Sequence, residues 1–162
     1  MALPNINTIL YATSMGKHTR PVFRQAVNQA LLNNAKIVML HVAEPMSDMG
    51  HALMQHYVSE SLIKQMHDDG IDQIRDTMQQ RIEKFCVDEL QSLDSEVSLD
   101  IEYLIAEGNH VDMILKTAKS VSADLVVLGA ENRFGHHSHT GQQVSKHITV
   151  PVLIVPTGKE YA

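Results

Sequence analysis

Four stretches of near-continuous apolar character punctuate the chain: Thr8-Ile9-Leu10-Tyr11-Ala12, Lys36 to Val42, Asp124 to Gly129 and Val150 to Val155. A strand with one wet face alternates, so runs of this kind predict strands covered on both faces. A fifth segment, Val97 to Leu104, alternates apolar and polar residues as an edge strand does. Between the strands the period changes to that of helices. From Pro21 to Leu32 the residues Val22, Phe23, Ala26, Val27, Ala30 and Leu31 form one stripe at i, i+3, i+4 spacing. The same period recurs from about Gln73 to Leu93, from Asp112 to Ala118 and from Gln142 to His147.

Strands alternating with helices predict an α/β fold with right-handed crossovers, a five-stranded parallel doubly wound sheet carrying helices on both faces. In such a sheet Val150–Val155 becomes an outer strand beyond the fourth. Ligands sit beyond the C-terminal ends of the strands where the winding reverses, which singles out Thr13-Ser14-Met15-Gly16 and the loop from Gly129 to Gly141. The length of 162 residues fits one domain, 1–162. The segment from Glu44 to Gly70 exceeds what a connection needs and reads as a helical excursion, with Asp68-Asp69-Gly70 as a helix end or loop.

Charge and cysteine use narrow the function classes. A net charge of −6 argues against a surface built to grip phosphate backbones, so nucleic acid is not an expected partner. The only cysteine, Cys86, rules out an internal disulfide framework and fits a reducing, cytoplasmic setting. It reads as a small helical hydrophobe without a redox role. The start Met1-Ala2-Leu3-Pro4-Asn5 lacks the signature of a signal peptide, and no run approaches the ~20 apolar residues of a membrane span.

In their order and spacing several segments together resemble the universal stress protein family along nearly the whole chain. They are Ile9-Leu10-Tyr11-Ala12-Thr13, Leu40-His41-Val42, Glu107-Gly108-Asn109, Ala123-Asp124-Leu125-Val126-Val127-Leu128-Gly129 and Val150-Pro151-Val152-Leu153-Ile154-Val155. The resemblance implies the adenine nucleotide alpha hydrolase-like fold, a stress-response role without conventional catalysis, and a homodimer paired through the Val150–Val155 edge. It also divides the family into members that bind ATP and members that do not. Binders are expected to carry an Asp after the first strand and a loop Gly-x-x-Gly, nine residues, then Gly-Ser or Gly-Thr.

Here Ser14 stands in place of the Asp and Asn132 in place of the second glycine. Gly129 keeps the first position, Gly141 comes one residue early, and Gln142 replaces the hydroxyl. Glycines let backbone amides approach phosphate and a hydroxyl at a helix start adds a donor. The resemblance therefore implies a degenerate nucleotide site built from Thr13, Ser14, Val42, Gly129, Asn132, Arg133, Gly141 and Gln142. An ATP or AMP sensor with a remodelled phosphate loop is the alternative, because Asn tolerates positive φ and Gln142 and Ser14 can hydrogen-bond.

Two histidine clusters raise metal chemistry. His136, His137 and His139 occupy three of four consecutive positions, and imidazole suits zinc, copper and nickel. A loop lacks the fixed geometry of a helical pair, so histidines facing water are the simpler reading, and Arg133 with these histidines could instead meet phosphate. Met46, Met49, His51, Met54 and His56 are soft-metal ligand types, yet methionine more commonly lines adaptable interfaces. No nucleophile with a base, no purposeful carboxylate pair and no nucleophile elbow emerges, so no catalytic residue is assigned.

Overall fold

The computed structural model describes residues 2–16, 19–90, 98–131 and 136–157. Five parallel strands, β1 (Thr8–Ala12), β2 (Lys36–Ala43), β3 (Ile101–Glu107), β4 (Leu125–Gly129) and β5 (Val152–Val155), form one sheet in the order β3-β2-β1-β4-β5. Helices are α1 (Arg20–Asn33), α2 (Asp48–Gln55), α3 (Glu60–Phe85), α4 (His110–Ser120) and α5 (Thr140–Ser145). Two compact units result, residues 1–43 with 97–162, and residues 44–96.

In the sheet unit, successive residues of the central strands face opposite layers. Leu10, Val38, Leu40, Val126 and Leu128 pack with Ile114 and Ala118 of α4 and Val144 of α5. Ile9, Tyr11, Ile37, Met39 and Val127 are equally buried, and α1, which lies against β1, β2 and β4, buries Val22, Phe23, Ala26, Val27 and Ala30. The rings of Tyr11 and Phe23 meet at 5.6 Å between centroids. Burial on both faces explains why these strands lack alternation.

Strand ends are set by specific backbone chemistry. Asp124, just before β4, accepts the N–H groups of Asn7 at 2.9 Å and Thr8 at 3.0 Å through Oδ2. β3 begins later than the Val97–Leu104 pattern suggests because its pairing with β2 starts at Ile37↔Ile101 and continues to Ala43↔Glu107. Val97 lies outside the described residues. β3 ends where Gly108 adopts φ 143°, a conformation that favours glycine, and the Asn109 side chain then caps α4 by accepting the Asp112 N–H at 3.1 Å. β5 is shorter than the 150–155 run and follows Pro151, whose carbonyl accepts the Val126 N–H at 3.0 Å. A proline confined to the start of an edge strand removes no ladder donor.

In the unit of residues 44–96 the excursion is helical, but its boundary differs from expectation. Asp68, Asp69 and Gly70 do not end a helix: α3 runs unbroken from Glu60 to Phe85 and passes into a π-helical turn at Cys86–Leu90. Ser59 starts it by accepting the Leu62 N–H at 3.2 Å. A single interior glycine costs only about 1 kcal/mol, less than the continued burial of Met78, Ile82 and Phe85 along one stripe returns. α2 is capped likewise by Ser47, which accepts the Gly50 N–H at 3.1 Å.

Candidate functional site

The order β2-β1-β4 puts the reversal of winding between β1 and β4, so their C-terminal ends frame the crevice where ligands bind in open α/β sheets. Ala12 pairs with Leu128, and Thr13 and Gly129 therefore leave the sheet side by side. Thr13 is buried, and its N–H donates to the Leu40 carbonyl at 2.8 Å. His41 Nδ1 lies 3.2 Å from the Thr13 carbonyl. A carbonyl only accepts, so that nitrogen carries the proton. The loop after β1 is thus fastened to the end of β2 by two bonds.

Beyond Thr13 the loop curls on its own side chains. Thr13 Oγ1 accepts the Met15 N–H at 3.1 Å and Ser14 Oγ accepts the Gly16 N–H at 3.4 Å. Met15 takes φ 60°, in the left-handed region that a non-glycine residue seldom visits. The Ser14 hydroxyl, committed as an acceptor, keeps its proton for donation. A neutral donor where ATP-binding relatives are expected to hold a carboxylate suits a hydroxyl or phosphate oxygen.

On the β4 side the glycines and polar groups serve the protein's own packing. A Cβ on Gly129 would meet Val22 Cγ2 at 3.2 Å and Thr157 Cγ2 at 3.5 Å. A Cβ on Gly141 would stand 2.7 Å from Ile154 Cδ1, so its missing side chain is what brings α5 onto β5. Glu131 Oε2 accepts the Thr157 N–H at 2.9 Å, and Ala130 N–H donates to the Val155 carbonyl at 2.8 Å. The Glu131 carboxylate thus ties the loop after β4 to the segment that follows β5. Gln142 is exposed on α5, while Val42 is buried, its side chain in the cluster with Leu10 and Leu40.

Of the residues singled out by sequence, Thr13, Ser14 and Gly129 come together at the crevice, and Gly141 and Gln142 open α5 beyond it. Asn132 and Arg133 lie outside the described residues. Glu131, His41 and Thr157 were missed. A glutamate in a polar loop and a threonine after the last strand carry no local signal, and Leu40-His41-Val42 reads only as a strand end.

The histidine loop shows internal order over residues 136–139. The rings of His137 and His139 meet edge to face at 5.4 Å, and Ser138 N–H donates to the Ala130 carbonyl at 2.9 Å. Among the described residues no three His, Cys, Asp or Glu side chains are grouped to hold a metal. His51 of the other cluster lies 3.3 Å from Glu60 Oε1, which also accepts from Gln55 Nε2. Those bonds, Gln55 first, hold the exposed Glu60 carboxyl below its ordinary pKa. No described helix is long and apolar enough to cross a membrane.

Residues 5–156 match the model of the universal stress protein family. Universal stress protein A of Photorhabdus laumondii subsp. laumondii is 27% identical over 150 residues, covering 91% of this chain and 93% of that protein. Among solved structures, universal stress protein UspA from Lactobacillus plantarum superposes with a TM-score of 0.68 at 20% identity, covering 93% of this chain and 98% of that one. A universal stress protein in complex with cAMP gives 0.63 at 20% identity, with 94% and 99% covered.

Proposed function

This chain belongs to the universal stress protein family, and from that premise we propose that it is a dimeric stress-response module with a degenerate nucleotide site that acts through protein contacts and not as an enzyme. The observation that carries the reading is the use of Gly141. Gly141, the glycine expected to face phosphate, packs instead against the tip of Ile154, where a Cβ would crowd Cδ1 at 2.7 Å. Glu131 adds a negative charge in the loop after β4, and Ser14 replaces the carboxylate expected after β1. The candidate set of Thr13, Ser14, Val42, Gly129, Asn132, Arg133, Gly141 and Gln142 remains the place to look for any residual ligand.

The second reading is an ATP or AMP sensor with a remodelled phosphate loop. It is favoured by the Ser14 hydroxyl, which keeps a donor at the crevice, and by the structural relative in complex with cAMP. Thermal-shift and calorimetric titration with ATP, ADP and AMP, with and without magnesium, separates the two. A ligand specific to the folded state raises its stability by mass action. No shift at roughly millimolar nucleotide is expected for the degenerate site, where a Kd of 1 mM already corresponds to about −4 kcal/mol. A clear shift establishes the sensor instead.

Dimerisation through β5 is supported by its edge position and by Ile154, which is 43% exposed in the middle of the strand. An open apolar edge invites pairing, and Pro151 and Pro156 restrict a two-fold ladder to the residues between them. Light scattering should give twice the chain mass, and Ile154→Lys should reduce it to the monomer. A monomer in the unsubstituted protein at tens of micromolar would contradict this role for β5.

A further inference from the structure

The exposed apolar side chains of residues 44–76 stand on two helices joined by a fixed corner. Along α2 and its flanks, Met46, Met49, Leu53 and Tyr57 are 53–86% exposed, and Met49 and Leu53 share a face at i, i+4 spacing. α2 buries no residue at all. On α3, Leu62 and Met66 repeat the i, i+4 pair and are 42% and 51% exposed. The corner between the helices is held by Glu60, which accepts from Gln55 and lies 3.3 Å from His51. An eight-residue helix that buries nothing offers its apolar stripe outward.

The charge along the segment that carries these stripes is one-sided. Between residues 44 and 76 stand Glu44, Asp48, Glu60, Asp68, Asp69, Asp72 and Asp76 against only Lys64 and Arg75, all of them exposed. That excess of five carboxylates accounts for nearly all of the chain's net charge of −6. Flexible, polarisable methionines adapt to varied apolar side chains, and carboxylates around them select a partner carrying Lys or Arg. A second copy of the same surface would set carboxylate against carboxylate across a two-fold axis. An anionic membrane is repelled for the same reason.

We propose that the exposed Met/Leu face of α2 and the start of α3 docks a basic amphipathic helix of a partner protein, its apolar stripe on Met49, Leu53, Leu62 and Met66 and its cations on the surrounding carboxylates. This is helix-on-face recognition read through i, i+4 anchors. It is independent of whether nucleotide binds at the crevice.

The probe is a fluorescent 18-residue peptide with Leu and Lys at helical spacing, compared with a Glu-for-Lys counterpart and a scrambled Leu/Lys peptide that lacks an apolar stripe. With the full chain, fluorescence anisotropy should report binding of the first alone, weakening as salt rises. The double variant Met49→Ser with Leu53→Ser should lower affinity about tenfold. The double variant Asp69→Asn with Asp72→Asn should slow association and flatten the salt dependence. All these positions are exposed, so circular dichroism and melting temperature should stay unchanged. Equal binding of the scrambled peptide, no binding of the Leu/Lys helix by about 100 μM, or indifference to both variants overturns the proposal. A smaller particle in light scattering on the Met49/Leu53 variant also overturns it, since a second copy would then cover the face.

Discussion

Asp124 and Thr8 hold each other in both directions: the Asp124 carboxylate accepts the Thr8 N–H at 3.0 Å, and the Asp124 N–H donates to the Thr8 carbonyl at 2.8 Å. The same oxygen also takes the Asn7 N–H. The entry of β1 is thereby tied to the entry of β4, the two strands whose far ends frame the crevice.

Asp124→Ala should destabilise the protein by about 1–3 kcal/mol, chiefly the cost of leaving the partly buried Thr8 donor without its acceptor. Asp124→Asn keeps an acceptor oxygen and should cost visibly less. Urea unfolding checks both, and equal midpoints for Ala and Asn would show that the side-chain acceptor contributes nothing.

Gly141→Ala places a methyl against Ile154 Cδ1, and overpacking of this kind costs about 1–3 kcal/mol. The clash is with the tip of a half-exposed side chain, so the low end is expected. Ile154→Val removes that tip. In a double-mutant cycle the second substitution should offset part of the first; strict additivity would mean that the contact is not what requires glycine at 141.

Gly70→Ala should act in the opposite direction. Position 70 lies inside α3, has no positive φ and shows open space where a Cβ would stand. Replacing a helical glycine with alanine there should add about 0.5–1 kcal/mol, raising the urea midpoint with the slope unchanged. A loss of stability would argue against a continuous α3.

Burial raises the pKa of Cys86 above its ordinary value. The folded state therefore favours the neutral thiol, and its contribution to stability is complete below the unfolded-chain value of about 8.5. It is lost as pH rises through the higher folded value. Iodoacetamide at pH 8 should alkylate the native thiol more slowly than the urea-unfolded one, because the thiolate is the nucleophile. Equal rates would contradict the shift, and Cys86→Ala should flatten the fall of stability in alkaline buffer.

Much of this fold is written in β1, β2 and β4, because strands sandwiched between helix layers must be apolar throughout; β5 reads the same way in sequence, yet lies at the edge with Ile154 43% exposed. β3 is less legible. It lies at an edge, and its start is decided by pairing at Ile37↔Ile101 and not by the alternation that begins upstream. The passage of α3 through Asp68-Asp69-Gly70 was hidden because those residues are local stop signals, overridden by an apolar stripe that resumes beyond them. The position of the crevice follows from strand order alone, with Thr13 and Gly129 at the ends of β1 and β4. The packing of Gly141 was not legible: a glycine spared for phosphate and one spared for Ile154 look alike until the distance is known. Asp124 heads the Asp124–Gly129 run, but the grip of its carboxylate on Asn7 and Thr8, far away in sequence, leaves no local signal.

The last strand has only four residues, yet it is clasped twice by the segment that follows β4. Ile154 rests on Gly141, and just past the strand Thr157 is held by Glu131. An outer strand fastened in this way is not a passive rim. Its place at the margin of the sheet rests on the segment after β4 as much as on its ladder with that strand.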